Sequence, residues 1–150
     1  MIFGYLITGA VEALVLVAVA FLLSRFTKDI VGRSLLVAVL LVAALMYIVF
    51  AVRAGEGTFW VVGELVGVGI YGTMGLLGLR GSPWWLAAGW AAHPLWDVAL
   101  HYFGPGGSFA PVGYTIPCLS FDLLVAAYIA VAYGFGLLAT RGPMLQQGAH

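Results

Sequence analysis

Charge is what this sequence has least of. Only 8% of its 150 residues are Asp, Glu, Lys or Arg, against 63% hydrophobic; a soluble domain carries about 25% and 45–50%. That scarcity excludes an ordinary water-soluble domain and points to an integral membrane protein. Lys and Arg form no cluster able to track a phosphate backbone, so nucleic acid is not an expected partner. A single cysteine, Cys118, rules out an internal disulfide framework and a cysteine-based zinc motif. No internal repeat is visible, and an odd number of spans argues against the paired inverted repeats of many transporters. The opening run also lacks the basic leader and small-residue cleavage site of a signal peptide. It is expected to be a permanent span.

Long apolar runs are what the chain has instead. A helix crossing about 30 Å of hydrocarbon needs about 20 apolar residues, and five runs qualify: 2–24, 34–53, 59–79, 84–103 and 118–139. The predicted fold is an all-α bundle of five transmembrane helices forming a single membrane domain over 1–150. An outer loop at 104–117, rich in Gly and Pro, and a short cytoplasmic tail at 140–150 complete it. Basic residues are retained on the cytoplasmic side. Arg25, Lys28 and Arg33 follow span 1, Arg80 follows span 3 and Arg141 follows span 5, while Arg53 alone falls on the other side. The N-terminus is therefore expected outside and the C-terminus inside a bacterial-type inner membrane. Trp60, Trp84, Trp85, Tyr102 and Phe103 near span ends suit an interfacial aromatic belt.

No lysine or arginine lies within the spans except at their edges, yet Glu12, Glu64, Asp97 and Asp122 lie inside them, joined by His93 and His101. An ionisable group at mid-bilayer costs about 2.5–3.5 kcal/mol on insertion scales and usually faces a bundle interior or cavity. Six such groups need a metal ion, a proton or each other. His93, Asp97 and His101 follow at i, i+4 and i+8, which on a regular helix keeps them on one face within roughly 80°. Pro94, next to His93, removes a backbone hydrogen bond and is expected to open the helix there. At 1.5 Å per residue, Glu12 and His93 lie near the midplane, Glu64 and Asp97 roughly 5–8 Å outward, and Asp122 and His101 roughly 9–12 Å outward. All six therefore belong to one layer in the outer half of the bilayer, and the predicted site opens outward.

Imidazole with carboxylate favours Zn, Fe or Mn over metals held by soft thiolates. On this reading His93, Asp97 and His101 are metal ligands and Glu64 and Asp122 the catalytic base or further ligand. Glu12 and Arg53 serve a proton relay or steady the ligands. The expected chemistry is metal-dependent and acts on a lipid or lipophilic small molecule. A proton- or cation-coupled transporter or channel using Glu12, Asp97 and His93 is the alternative, and a haem- or pigment-binding accessory subunit a second one. Plainer roles compete. Asp122 and Glu64 near helix N-termini gain from the helix dipole, His101 can bond interfacial water or head groups, and Glu12, His93 and Asp97 can make interhelical hydrogen bonds. Six glycines in span 3, at 63, 67, 69, 72, 75 and 78, mark close packing, within the bundle or across a homodimer. Trp90 and Trp96 are expected to pack or to wall a lipid-chain pocket.

The run W-A-A-H-P-L-W-D-V-A-L-H, from Trp90 to His101, resembles that of small uncharacterised bacterial integral membrane proteins grouped as a family of unknown function. The resemblance implies a multi-span membrane protein and carries no activity. The His and acid pattern is also similar to that of membrane-embedded zinc hydrolases such as alkaline ceramidases. Those have seven spans and an H-x-x-x-H pair that this chain lacks.

Overall fold

The computed structural model describes residues 1–138. Position 139 of the fifth apolar run and the tail at 140–150, with Arg141, lie outside the described residues. Among the described residues the protein is entirely helical. Helix α1 is Ile2–Phe26, α2 Asp29–Arg53, α3 Thr58–Arg80, α4 Pro83–Trp96 and α5 Val112–Gly134. A π-helical segment, Asp97–Tyr102, continues α4, and a 3-10 turn, Pro105–Ser108, follows it. Four helices, α1, α2, α3 and α5, are long and apolar enough to cross a membrane. Helix α4 has 14 residues and gains its remaining length from the π segment.

Short turns at Gly55, which takes φ +73°, and at Ser82 make sequence neighbours spatial neighbours. Each helix packs on the next, and α5 returns to pack on α1, closing a ring of five helices. Ser82 caps α4 by accepting the Trp84 amide, and Pro83 fills the first turn, where no partner for its nitrogen is needed. The outer faces carry exposed apolar side chains, such as Phe3, Ile7, Val11, Leu14 and Val15 on α1 and Val62, Leu65 and Val66 on α3. This is the apolar exterior that lipid favours and water does not.

Small residues set the helix spacing. A Cβ on Gly9 would overlap the Pro117 carbonyl oxygen of α5, and one on Gly32 would overlap Ser24 and the Ala20 carbonyl of α1. Ser120 of α5 donates to the Leu6 carbonyl at 2.7 Å across the same crossing as Gly9. In α3, Gly67 lies against Trp96, Gly75 against Val37 and Gly78 against Leu86, whereas Gly63 and Gly69 have open space around them. Packing within the bundle thus uses one face of the glycine stripe.

Two apolar clusters result. The larger is built on Leu36, Leu40, Leu86, Trp90, Val125 and Ile129. The smaller joins Tyr47, Ala51, Phe109 and Ala110 beneath the loop after the π segment. Buried His, Asp and Glu side chains lie between them.

Candidate functional site

Helix α4 delivers the central residues. Pro94 has no N–H to give the Trp90 carbonyl, and three residues later the backbone widens into the π turn, with the Phe103 amide reaching back to the Val98 carbonyl at 3.0 Å. Such bulges are frequent at functional sites. Its effect here is rotational. A π turn holds more residues than an α turn, so each residue advances by less than 100° and His101 no longer continues the line from His93 through Asp97.

Three residues converge. His93 Nδ1 donates to Asp122 Oδ2 at 2.8 Å across the α4–α5 contact, and stands 3.5 Å from Asp97 Oδ2. One donor atom from each of His93, Asp97 and Asp122 lies within 4.8 Å of the other two. Donors on a tetrahedral ion with bonds near 2.1 Å stand roughly 3.4 Å apart. The 3.5 Å between His93 Nδ1 and Asp97 Oδ2 is close to that value, whereas the 2.8 Å contact with Asp122 is a hydrogen bond whose proton an ion held by Nδ1 would replace. All three side chains are fully buried, and His93 Nε2, both Asp97 oxygens and Asp122 Oδ1 have no hydrogen-bond partner. Buried polar atoms are normally satisfied in more than nine cases of ten. Four orphans in one cluster call for a bound ion or protons.

His101 lies beside this group as half of a second pair. Its Nε2 is 3.3 Å from Glu64 Oε1, and the other Glu64 oxygen accepts from Trp96 Nε1 at 3.3 Å. Aromatic rings enclose both imidazoles. Tyr47 stacks on His101 with centroids 4.0 Å apart and planes 10° off parallel. Tyr71 meets His93 edge-on at 4.9 Å. Tyr47 is also a polar neighbour of Asp97, as is Cys118.

The loop after the π segment closes the site from above. Phe109 packs edge-on against His101 at 5.5 Å and against Trp60 at 5.1 Å. A Cβ on Gly106 would overlap His101 Nδ1. Gly106→Ala is therefore expected to push His101 off Glu64 and cost about 1–3 kcal/mol of stability, the usual range for overpacking, with metal content unchanged. Detergent-denaturation midpoints and elemental analysis of the variant check this.

Five of the sequence-selected residues thus come together, in an arrangement the spacing alone did not give. Asp122, rather than His101, completes the three-donor group with His93 and Asp97. Asp122 is also not at a helix start. Helix α5 begins at Val112, inside the segment expected to be loop, so Asp122 sits several turns in, where the N-terminal dipole has faded. The site is closed rather than open to the outer surface, its five charged or polar side chains being 0–2% exposed.

Two residues stay apart. Glu12 is exposed on α1, and among the described residues Arg53 is exposed and pairs with none of the embedded acids. The aromatic partners Tyr47 and Tyr71 escaped sequence reasoning, and Trp96 read there as packing rather than as a donor to Glu64. Their one legible signal was a hydroxyl or indole N–H in mid-span, where such a group needs a partner.

The family described as "Family of unknown function (DUF6010)" matches residues 8–134, a stretch that contains every residue of the site. Among curated proteins and among solved structures, no match was found.

Proposed function

The chain belongs to that family of unknown function, and from its buried polar cluster we propose an intramembrane metal site that acts on a lipid or lipophilic small molecule. The observation that carries this reading is the convergence of His93, Asp97 and Asp122 donors within 4.8 Å, with four of their polar atoms unpartnered. Three protein ligands leave a divalent ion one position for substrate or water, the ligand count of catalytic rather than structural sites. The ion would be Zn, Fe or Mn, which accept nitrogen and oxygen donors together. Bound there, it supplies Lewis-acid activation of a carbonyl or phosphoryl group.

The chain's own groups do the rest. Asp97 and Asp122 balance the ion's charge in a layer without a basic side chain. Glu64, held by Trp96, is the proton acceptor beside the site, and His101 positions or relays that proton. The aromatic walls and the Phe109 loop keep bulk water away. On this reading α4 and the π segment together make the fourth of five spans. The N-terminus faces outward and the polar layer lies in the outer half of a bacterial-type inner membrane.

A second reading follows from the two His–carboxylate pairs, His93–Asp122 and His101–Glu64. With Tyr47 in contact with both rings, they suit a proton relay in a coupled transporter. Elemental analysis of detergent-purified protein separates the two. About one Zn, Fe or Mn per chain that survives brief washing with a weak chelator, and is lost in His93→Ala, supports the metal site. Folded protein without metal that moves protons in liposomes supports the relay.

A further inference from the structure

The buried site needs a way in, and one cavity reaches it. A groove of about 370 Å³ runs along the side of the bundle between α1, α2 and α5, and its lining includes Asp122. Val42 of α2 and Phe121 of α5 give it apolar walls, Tyr114 adds a hydroxyl, and Glu12 of α1 stands on its rim. The volume is at the small end of the range for ligand pockets, about 300–1,000 Å³. It accommodates a head group and the start of a chain whose remainder lies in the bilayer.

Glu12 is the anomaly. It is exposed, and Val15 and Val19, three and seven residues further along the same face of α1, are apolar and 61% and 43% exposed. No described basic side chain pairs with it. A lone carboxylate on a lipid-facing surface is costly unless a cation or proton comes to it. The groove therefore sets one exposed, uncompensated acid, Glu12, in the same lining as the fully buried Asp122. Apolar walls select an alkyl chain, and the carboxylates select a positive head.

We infer that this groove is a lateral portal for a cationic amphiphile, a long-chain primary amine, whose head group is received by Glu12 and passed toward Asp122. The inference rests on the site proposed above for what happens after arrival, and on the groove alone for binding. Its test uses full-length protein in phosphatidylcholine nanodiscs and a diazirine-bearing long-chain amine, with adducts mapped by peptide mass spectrometry. Adducts on α1 and α5 residues of the groove, displaced by dodecylamine about tenfold more effectively than by dodecanol, are expected for a site with a charge-assisted contact. In Glu12→Gln, which keeps the size of the side chain, that preference is expected to vanish while dodecanol displacement and bound metal stay unchanged.

Equal displacement by amine and alcohol in the native protein overturns the inference. So does labelling spread evenly over the bundle, or crosslinking of Glu12→Cys to a second chain, which would make the groove a homodimer interface. Absence of metal from a protein that still labels in the groove overturns the metal site and leaves the portal standing.

Discussion

Asp97→Asn is expected to lower metal affinity by at least about a hundredfold, beyond the 10–100-fold typical of residues that only orient a ligand. The substitution keeps the size and shape of the side chain and removes its negative charge. Asp97 also has the least to lose in structural terms. Neither of its oxygens has a hydrogen-bond partner, although the side chain is fully buried. Its polar neighbours are His93 Nδ1 at 3.5 Å, Tyr47 and Cys118, and the Asn amide oxygen can still face the last two, so this neutral isostere is expected to leave the metal-free protein about as stable as the native one. That pairing of lost metal with undiminished stability is the signature of a ligand rather than a packing residue. His101→Gln, outside the three-donor group, is expected to change affinity less than about tenfold. Competition with a chelating dye, run beside detergent denaturation, reads both quantities. Full metal binding by Asp97→Asn would falsify the ligand assignment.

Arg33→Ala is expected to cost about 3 kcal/mol of stability, the lower end for removing one partner of a buried ion pair. Arg33 is 9% exposed at the opposite end of the bundle from the site. Its Nε lies 2.9 Å from Asp29 Oδ2 one turn earlier in α2, and its Nη1 donates to the Gly78 carbonyl of α3 at 2.6 Å. Asp29 in turn accepts from Tyr133 of α5 through its other oxygen, at 2.5 Å. One guanidinium thereby ties α2 to α3 and, through Asp29, to α5. Removing it strands a carboxylate and a helix-terminal carbonyl together. Lysine cannot reproduce the fork, so Arg33→Lys is expected to recover only part of the loss. Asp29→Asn combined with Arg33→Met is expected to cost less than Arg33→Ala alone, because no charge is left unpaired. Unfolding in increasing mole fraction of dodecyl sulfate measures all three. Equal midpoints for Arg33→Ala and native protein would show the clamp to be a surface pair of no consequence.

The two arguments draw on residues of unlike legibility. Asp97, His93, Glu64 and Asp122 stood out in the sequence because charge is so rare in runs of that hydropathy. Counting residues along helices of known rise placed these four, with Glu12 and His101, in one layer; the structure brings five of the six together and leaves Glu12 apart. Arg33 read as a loop residue retained at the cytoplasmic edge, because its neighbours Arg25 and Lys28 are. Only the α2–α3 crossing shows that its side chain turns inward to Gly78. Likewise, Trp96 read as packing, and its indole is in fact the donor to Glu64.

The sequence by itself determined the helical class, the apolar exterior and the identity of the embedded acids and histidines. These follow from local quantities: hydrophobicity summed over a window, the rise of a helix, and the cost of charge in hydrocarbon. Tertiary structure decided the partners. The π turn after Pro94 rotates His101 toward Glu64, and the early start of α5 sets Asp122 against His93. Ring closure of α5 on α1 leaves Glu12 on the rim of a groove rather than in the cluster. Each of these depends on backbone rotation or on contacts between residues tens of positions apart, and no count of spacing along one helix contains that information.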